Sequence, residues 1–192
     1  MALLIPGLAL FLGVHSTRIL ADRWRSAMVA RLGLNGWKGI HAAISIAGFV
    51  LLVWGYGGAR ARAIALWSPP AWTATVAALL TVPALVLVVA AYVPRNQIQA
   101  TLHHPMVLGV QLWALAHLLA SATDVDALLF GAFLVWALLS SLAARRRDRA
   151  EARSYPPGRP ARTLVAVLVG LGLWAAFALW LHERWIGVAP LG

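Results

Sequence analysis

The chain has 192 residues, of which 61% are hydrophobic and only 11% charged, with a formal net charge of +10. A soluble domain is nearer half apolar and a quarter charged, so this composition points to a single integral-membrane domain over residues 1–192. There is no cysteine, which excludes disulfides, zinc–thiolate and Fe–S clusters, c-type haem attachment and cysteine nucleophiles. Any bound metal must be held by His, carboxylate, Met, backbone or cofactor atoms.

Six apolar stretches have the roughly 17–25 residues that a hydrocarbon core requires, at about 2–20, 38–56, 71–92, 104–120, 126–143 and 163–181. The expected fold is therefore an all-α, polytopic membrane helix bundle. No basic leader precedes the first run, so that segment is expected to stay in the mature chain. Ser68-Pro69-Pro70 punctuates the start of the third span, and Thr123-Asp124 is suited to cap the fifth. Pro156-Pro157-Gly158-Arg159-Pro160 leads into the sixth. Pro83 falls inside the third span, where it is expected to kink the helix and to need support from a neighbour.

The basic residues set the orientation. Arg18, Arg23, Arg25, Arg31, Lys38, Arg95, Arg145, Arg146, Arg147, Arg149, Arg153, Arg159 and Arg162 fall on one side; only Arg60, Arg62 and Arg184 fall on the other. The rich side is expected to be cytoplasmic and both termini periplasmic, in a bacterial inner membrane. The same clustering explains the net charge without nucleic acid, since no basic–aromatic surface or recognition motif accompanies it. Residues 145–153 suit anionic headgroups or a phosphorylated ligand as well as a plain topology signal. Of ten tryptophans, Trp24, Trp37, Trp54, Trp67, Trp72 and Trp185 lie near span ends as an interfacial belt. Trp113, Trp136 and Trp174 lie deeper, where they pack helices or a planar cofactor.

Six histidines lie in or at the ends of the spans. An ionisable group there is expensive and marks a candidate site, and imidazole is a common ligand for metals and haem iron. His15 sits near the cytoplasmic end of span one, with Arg18 one turn later; it reads either as a ligand beside a cation suited to a propionate or phosphate, or as a helix-to-helix hydrogen bond. His41 opens span two and heads a stripe with Ser45, Gly48 and Leu52, which fits a close helix contact or a cofactor groove. His103-His104-Pro105 opens span four, with His103 toward the headgroups. His104 shares a face with Gln111, whereas His104 and His117 stand about 220° and about 20 Å apart on a straight helix and cannot share one metal. His117, deep in span four with Trp113 one turn earlier, most needs a polar partner or a ligated ion. His182, beside Glu183, Arg184 and Trp185, reads as an interfacial anchor.

The block His104-Pro105-Met106-Val107-Leu108-Gly109, continuing Gln111-Leu112-Trp113-Ala114-Leu115-Ala116-His117-Leu118-Leu119, resembles the central signature of the NnrU family. Gly13-Val14-His15-Ser16 and the terminal Leu181-His182-Glu183-Arg184-Trp185-Ile186-Gly187-Val188-Ala189-Pro190 resemble it too, so nearly the whole chain is covered. The resemblance implies a bacterial protein of nitrite and nitric oxide metabolism in denitrifiers, related to zeta-carotene isomerase, a b-type haem enzyme. It implies haem b between spans one and four, with His15 and His117 matching the relative's ligands, His41 as alternate ligand and Arg18 as propionate partner. His104 and Trp113 complete the expected cofactor-binding set. Depth along straight helices instead pairs His15 with His41.

A nitrite or nitric oxide reductase system is the implied partner besides the lipid bilayer. The same His-Pro block is similar to the Arg-His-Pro-x-Tyr-x-Gly element of isoprenylcysteine methyltransferases, which implies S-adenosylmethionine as the alternative cofactor. The chain departs from that element at His103 and Val107, and Glu151 is the acidic residue in the next basic loop. A non-catalytic accessory subunit is the third expectation. Asp124 and Asp126 look like helix caps, and no acid–base pair within a span specifies a reaction.

Overall fold

The computed structural model describes residues 1–191. The chain forms α1 (Leu4–His15), α2 (Thr17–Leu20), α3 (Asp22–Arg60), α4 (Trp72–Tyr92), α5 (Gln97–Leu102), α6 (Pro105–Ala120), α7 (Asp124–Ala150) and α8 (Pro160–Ala176). A π-helical turn, Phe177–Leu181, then leads into α9 (His182–Ile186). Among the described residues the only extended pairing is an isolated bridge between Ala65 and Thr123. The fold is all-α, as the composition required.

Among the described residues, four helical stretches are long and apolar enough to cross a membrane: Asp22–Arg60, Trp72–Tyr92, Asp124–Ala150 and Pro160–Ile186. The other two expected spans form shorter apolar helices, Leu4–His15 and Pro105–Ala120. At 1.5 Å per residue these reach about 18 Å and about 24 Å, against a hydrocarbon core of about 30 Å. The Ser16 hydroxyl donates to Leu12 O at 2.6 Å and Thr17 Oγ1 to Val14 O at 2.9 Å. Such local bonds compete with continuation of the helix, and α1 ends there. The apolar run to Leu20 is thus split between α1 and α2.

Two compact units result. Unit 1 comprises Met1–Leu66 with Thr123–Ala132, and unit 2 comprises Trp67–Ala122 with the chain from Phe133 onward. In unit 1, α1 lies against α3 through a glycine-lined seam. A Cβ on Gly7 would stand 2.6 Å from Leu52 N, and one on Gly48 would stand 2.7 Å from Phe11 N. Gly55 meets Leu4 in the same way. The stripe of small residues that follows His41 is therefore a close helix contact. At Gly33, φ 72° and ψ 162° break α3 into two arms, a conformation essentially restricted to glycine. The Trp24 and Trp37 rings, one on each arm, pack edge-on at 5.7 Å.

The start of α7 closes unit 1. Thr123 Oγ1 accepts from Asp126 N at 3.2 Å and donates to Asp126 Oδ2 at 2.7 Å, a reciprocal cap. Tyr56 donates to Asp126 Oδ1 at 2.6 Å, and Asp124 Oδ1 accepts from Ile64 N at 2.9 Å. Thr123 is thus the cap, and the two aspartates, expected as caps, stand in the first turn and tie Tyr56 and Ile64 to α7.

In unit 2, α4 packs on both α6 and α8. A Cβ on Gly109 would approach Ala84 O to 2.7 Å, and one on Gly170 would approach Val86 Cα to 2.7 Å. Helix α4 continues through Pro83, and α8 supplies support just before it. The Trp174 indole donates toward Ala78 O at 3.2 Å and Thr81 Oγ1 at 3.0 Å. Fully buried Asn96 caps α5 by accepting from Gln99 N at 2.8 Å, while its amide donates to Ala90 O at 2.7 Å.

Candidate functional site

His15 and His41 are neighbours within unit 1, with ring centres 4.9 Å apart and planes at 74°. His15 Nδ1 lies 2.6 Å from Phe11 O, and the two rings are in contact at 4.4 Å. A backbone carbonyl only accepts, so Nδ1 carries the proton and the lone pair falls on Nε2. His41 Nδ1 stands 3.4 Å from Ser45 Oγ, whose own proton goes to His41 O at 2.7 Å. That hydroxyl is left to accept from Nδ1, which gives His41 the same tautomer. The pair borders a cleft of about 330 Å³ lined by His15, Thr17, Arg18, Arg25, Trp37, Lys38 and His41.

His117 repeats the construction in unit 2. Its Nδ1 lies 2.8 Å from Trp113 O, and its ring is 5.0 Å from that of Trp113, which in turn packs edge-on against Phe133 at 5.5 Å. The neighbouring ring is His182, at 6.4 Å and 33°. His182 Nδ1 faces Val188 O at 2.7 Å, and Phe177 packs on its ring at 6.4 Å. Sequence reasoning took His182 for an anchor alone; the π-helical turn just before it is a feature that recurs at functional sites.

His103 and His104 serve a third arrangement, also in unit 2. His104 Nε2 is 2.6 Å from Asp148 Oδ2, which also accepts from Tyr155 OH at 2.8 Å. Arg153 pairs with the other carboxylate oxygen at 3.7 Å. His103, at φ 64°, stacks on Tyr155 with ring centres 4.1 Å apart and planes within 5°. Burial, followed by the bond to the Asp148 carboxylate, raises the Tyr155 phenol above its ordinary value. Gln111 donates to Ser141 Oγ at 2.6 Å and to Ala137 O at 3.1 Å, so it reads the same face of α7 as His104. Asp148 and Tyr155 escaped the sequence reading because the surrounding arginines look like a topology signal. The spacing 104/111 against 148/141 was the available clue.

The six histidines therefore fall into three kinds of place, and imidazole nitrogen is the main donor type available. Among the described residues no three His, Cys, Asp or Glu side chains converge on a metal ion, so the donor set does not build a multi-ligand cage. A b-type haem would be held by imidazole nitrogen, and imidazoles whose Nδ1 is engaged by a backbone carbonyl have the tautomer that would suit it. In unit 2, His117 and His182 are the imidazoles brought near one another. His15 and His41, the pair that depth along straight helices suggested, are brought side by side.

The helices and the intramembrane histidines define a polytopic membrane protein with imidazole-rich sites. The family model described as "NnrU protein" matches residues 3–190, and the chain belongs to the NnrU family. No curated protein and no solved structure matches it.

Proposed function

We propose that this NnrU-family protein binds b-type haem through transmembrane histidines and acts in bacterial nitrite or nitric oxide metabolism at the inner membrane. The observation that supports this reading is the shared construction of His15 and His117. Each sits one turn after an aromatic residue and directs Nδ1 to that residue's carbonyl, at 2.6 Å and 2.8 Å. A histidine with only a packing role has no need of a fixed Nε2 lone pair, whereas a ligand does.

When bound, haem supplies an iron able to take a diatomic ligand or to exchange an electron. The chain's own part is to fix the tautomer of each imidazole, orient its ring and keep the surroundings apolar. Phe11 braces His15, and Trp113, itself held by Phe133, braces His117. His117 and His182 in unit 2, and His15 and His41 in unit 1, are the residues that would hold the group.

The test is the visible spectrum of detergent-purified protein expressed with haem precursor, oxidised and then dithionite-reduced. A sharp Soret band with resolved bands on reduction is expected. His117→Ala should lose it while remaining folded, and His182→Ala and His15→Ala should show which of the other histidines the spectrum depends on. A featureless spectrum from monodisperse, haem-supplied protein would end the proposal.

A further inference from the structure

We infer that the cleft of unit 1 is a binding site for a phosphate-type oxyanion, an assignment that does not depend on the haem reading. Its cations come from three stretches of chain: Arg18 from α2, Arg25 from the first arm of α3 and Lys38 from the second. On a straight helix Arg25 and Lys38, thirteen residues apart, would be about 20 Å apart along the axis and about 220° round it. They line one cleft because Gly33 breaks the helix and Trp24 packs on Trp37 across the break.

Bringing like charges together is unfavourable unless something of opposite sign joins them. None of the residues lining the cleft is a carboxylate. Among the described residues, neither Arg25 nor Lys38 pairs with an acid. A positive-inside signal needs only a count of basic residues in the loop; it does not need them to converge. Half-buried Arg25 offers a planar fork and Lys38 a point charge, which are the donors that recognise phosphate oxygens. The cleft lies at the basic end of its span, where both lipid headgroups and soluble phosphates are available.

The experiment uses the full chain in phosphatidylcholine nanodiscs, with the haem spectrum recorded on the same sample. One arm titrates inorganic phosphate by calorimetry. The other dopes the discs with phosphatidylglycerol and counts lipid retained in native mass spectrometry. Saturable binding in either arm is expected, weakened roughly tenfold by Arg25→Gln or Lys38→Gln and retained in Lys38→Arg. Phosphate binding identifies a soluble ligand, and retention of phosphatidylglycerol alone identifies a headgroup. Absence of saturation in both arms overturns the inference. So does saturable binding that both glutamine variants leave intact while they stay helical and monodisperse.

Discussion

In unit 1, Arg18, Arg25 and Lys38 border a cleft whose lining contains no carboxylate. In unit 2, His104, Tyr155 and Arg153 close on Asp148. Both clusters lie at basic ends of apolar helices, and in sequence both look like the same topology signal. The counter-ion separates them. A cluster that holds its own carboxylate is satisfied internally and serves as a strap; Arg25 and Lys38, which pair with no acid among the described residues, are the cations that we propose a ligand completes.

The units also share a packing device, and breaking it should have the largest effect. Gly7→Val in unit 1 and Gly170→Val in unit 2 each place a side chain where backbone already stands. Both variants should lose folded protein in detergent, read by size-exclusion yield and thermal unfolding, because overpacking at a backbone contact has no flexible neighbour to absorb it. Gly13→Ala and Gly57→Ala meet nothing within 4 Å and should melt within about 0.5 kcal/mol of the parent.

Gly33→Val comes next. Its φ of 72° makes a branched residue unfavourable by about 1–3 kcal/mol. The cleft should also open as the Trp24–Trp37 contact slips, which a change in tryptophan emission would show. An unchanged emission spectrum and unfolding midpoint would mean that the break does not depend on glycine.

In unit 2, Asp148→Asn should destabilise by about 2 kcal/mol, as expected for hydrogen bonds to a carboxylate. In unit 1 no single acidic residue should have the equivalent effect on the cleft. Tyr155→Phe keeps the stack on His103 and loses one hydrogen bond, a cost of about 1 kcal/mol. The double variant should fall short of the sum of the two, since both remove the same bond. The Tyr155 phenol titrates above its ordinary value of 10.0 in the folded chain. Its contribution is therefore complete below that value and fades as pH rises through the raised one. The melting difference between parent and Tyr155→Phe should shrink on that alkaline limb.

Much of the fold was legible in the residues because it follows from composition and local chemistry. Apolar runs had to be helices, Pro105 and Pro160 had to stand at helix starts, and Thr123-Asp124 marked the start of α7, where Thr123 is the cap. The histidines were legible as candidates because ionisable groups in apolar segments are costly. The family resemblance, too, lay in the order of residues, and the match over residues 3–190 bears it out.

Only tertiary structure decided which groups meet. His41 beside His15 is the pairing that depth had suggested, whereas His182 beside His117, and Asp148 between His104 and Tyr155, are contacts across 65, 44 and 7 residues that the sequence reading did not anticipate. The division of the first apolar run at Ser16 rests on a side chain bonding its own backbone, and the break at Gly33 on a single backbone dihedral. Hydropathy averages over such events, because it measures how much surface must leave water and not the direction in which the chain turns.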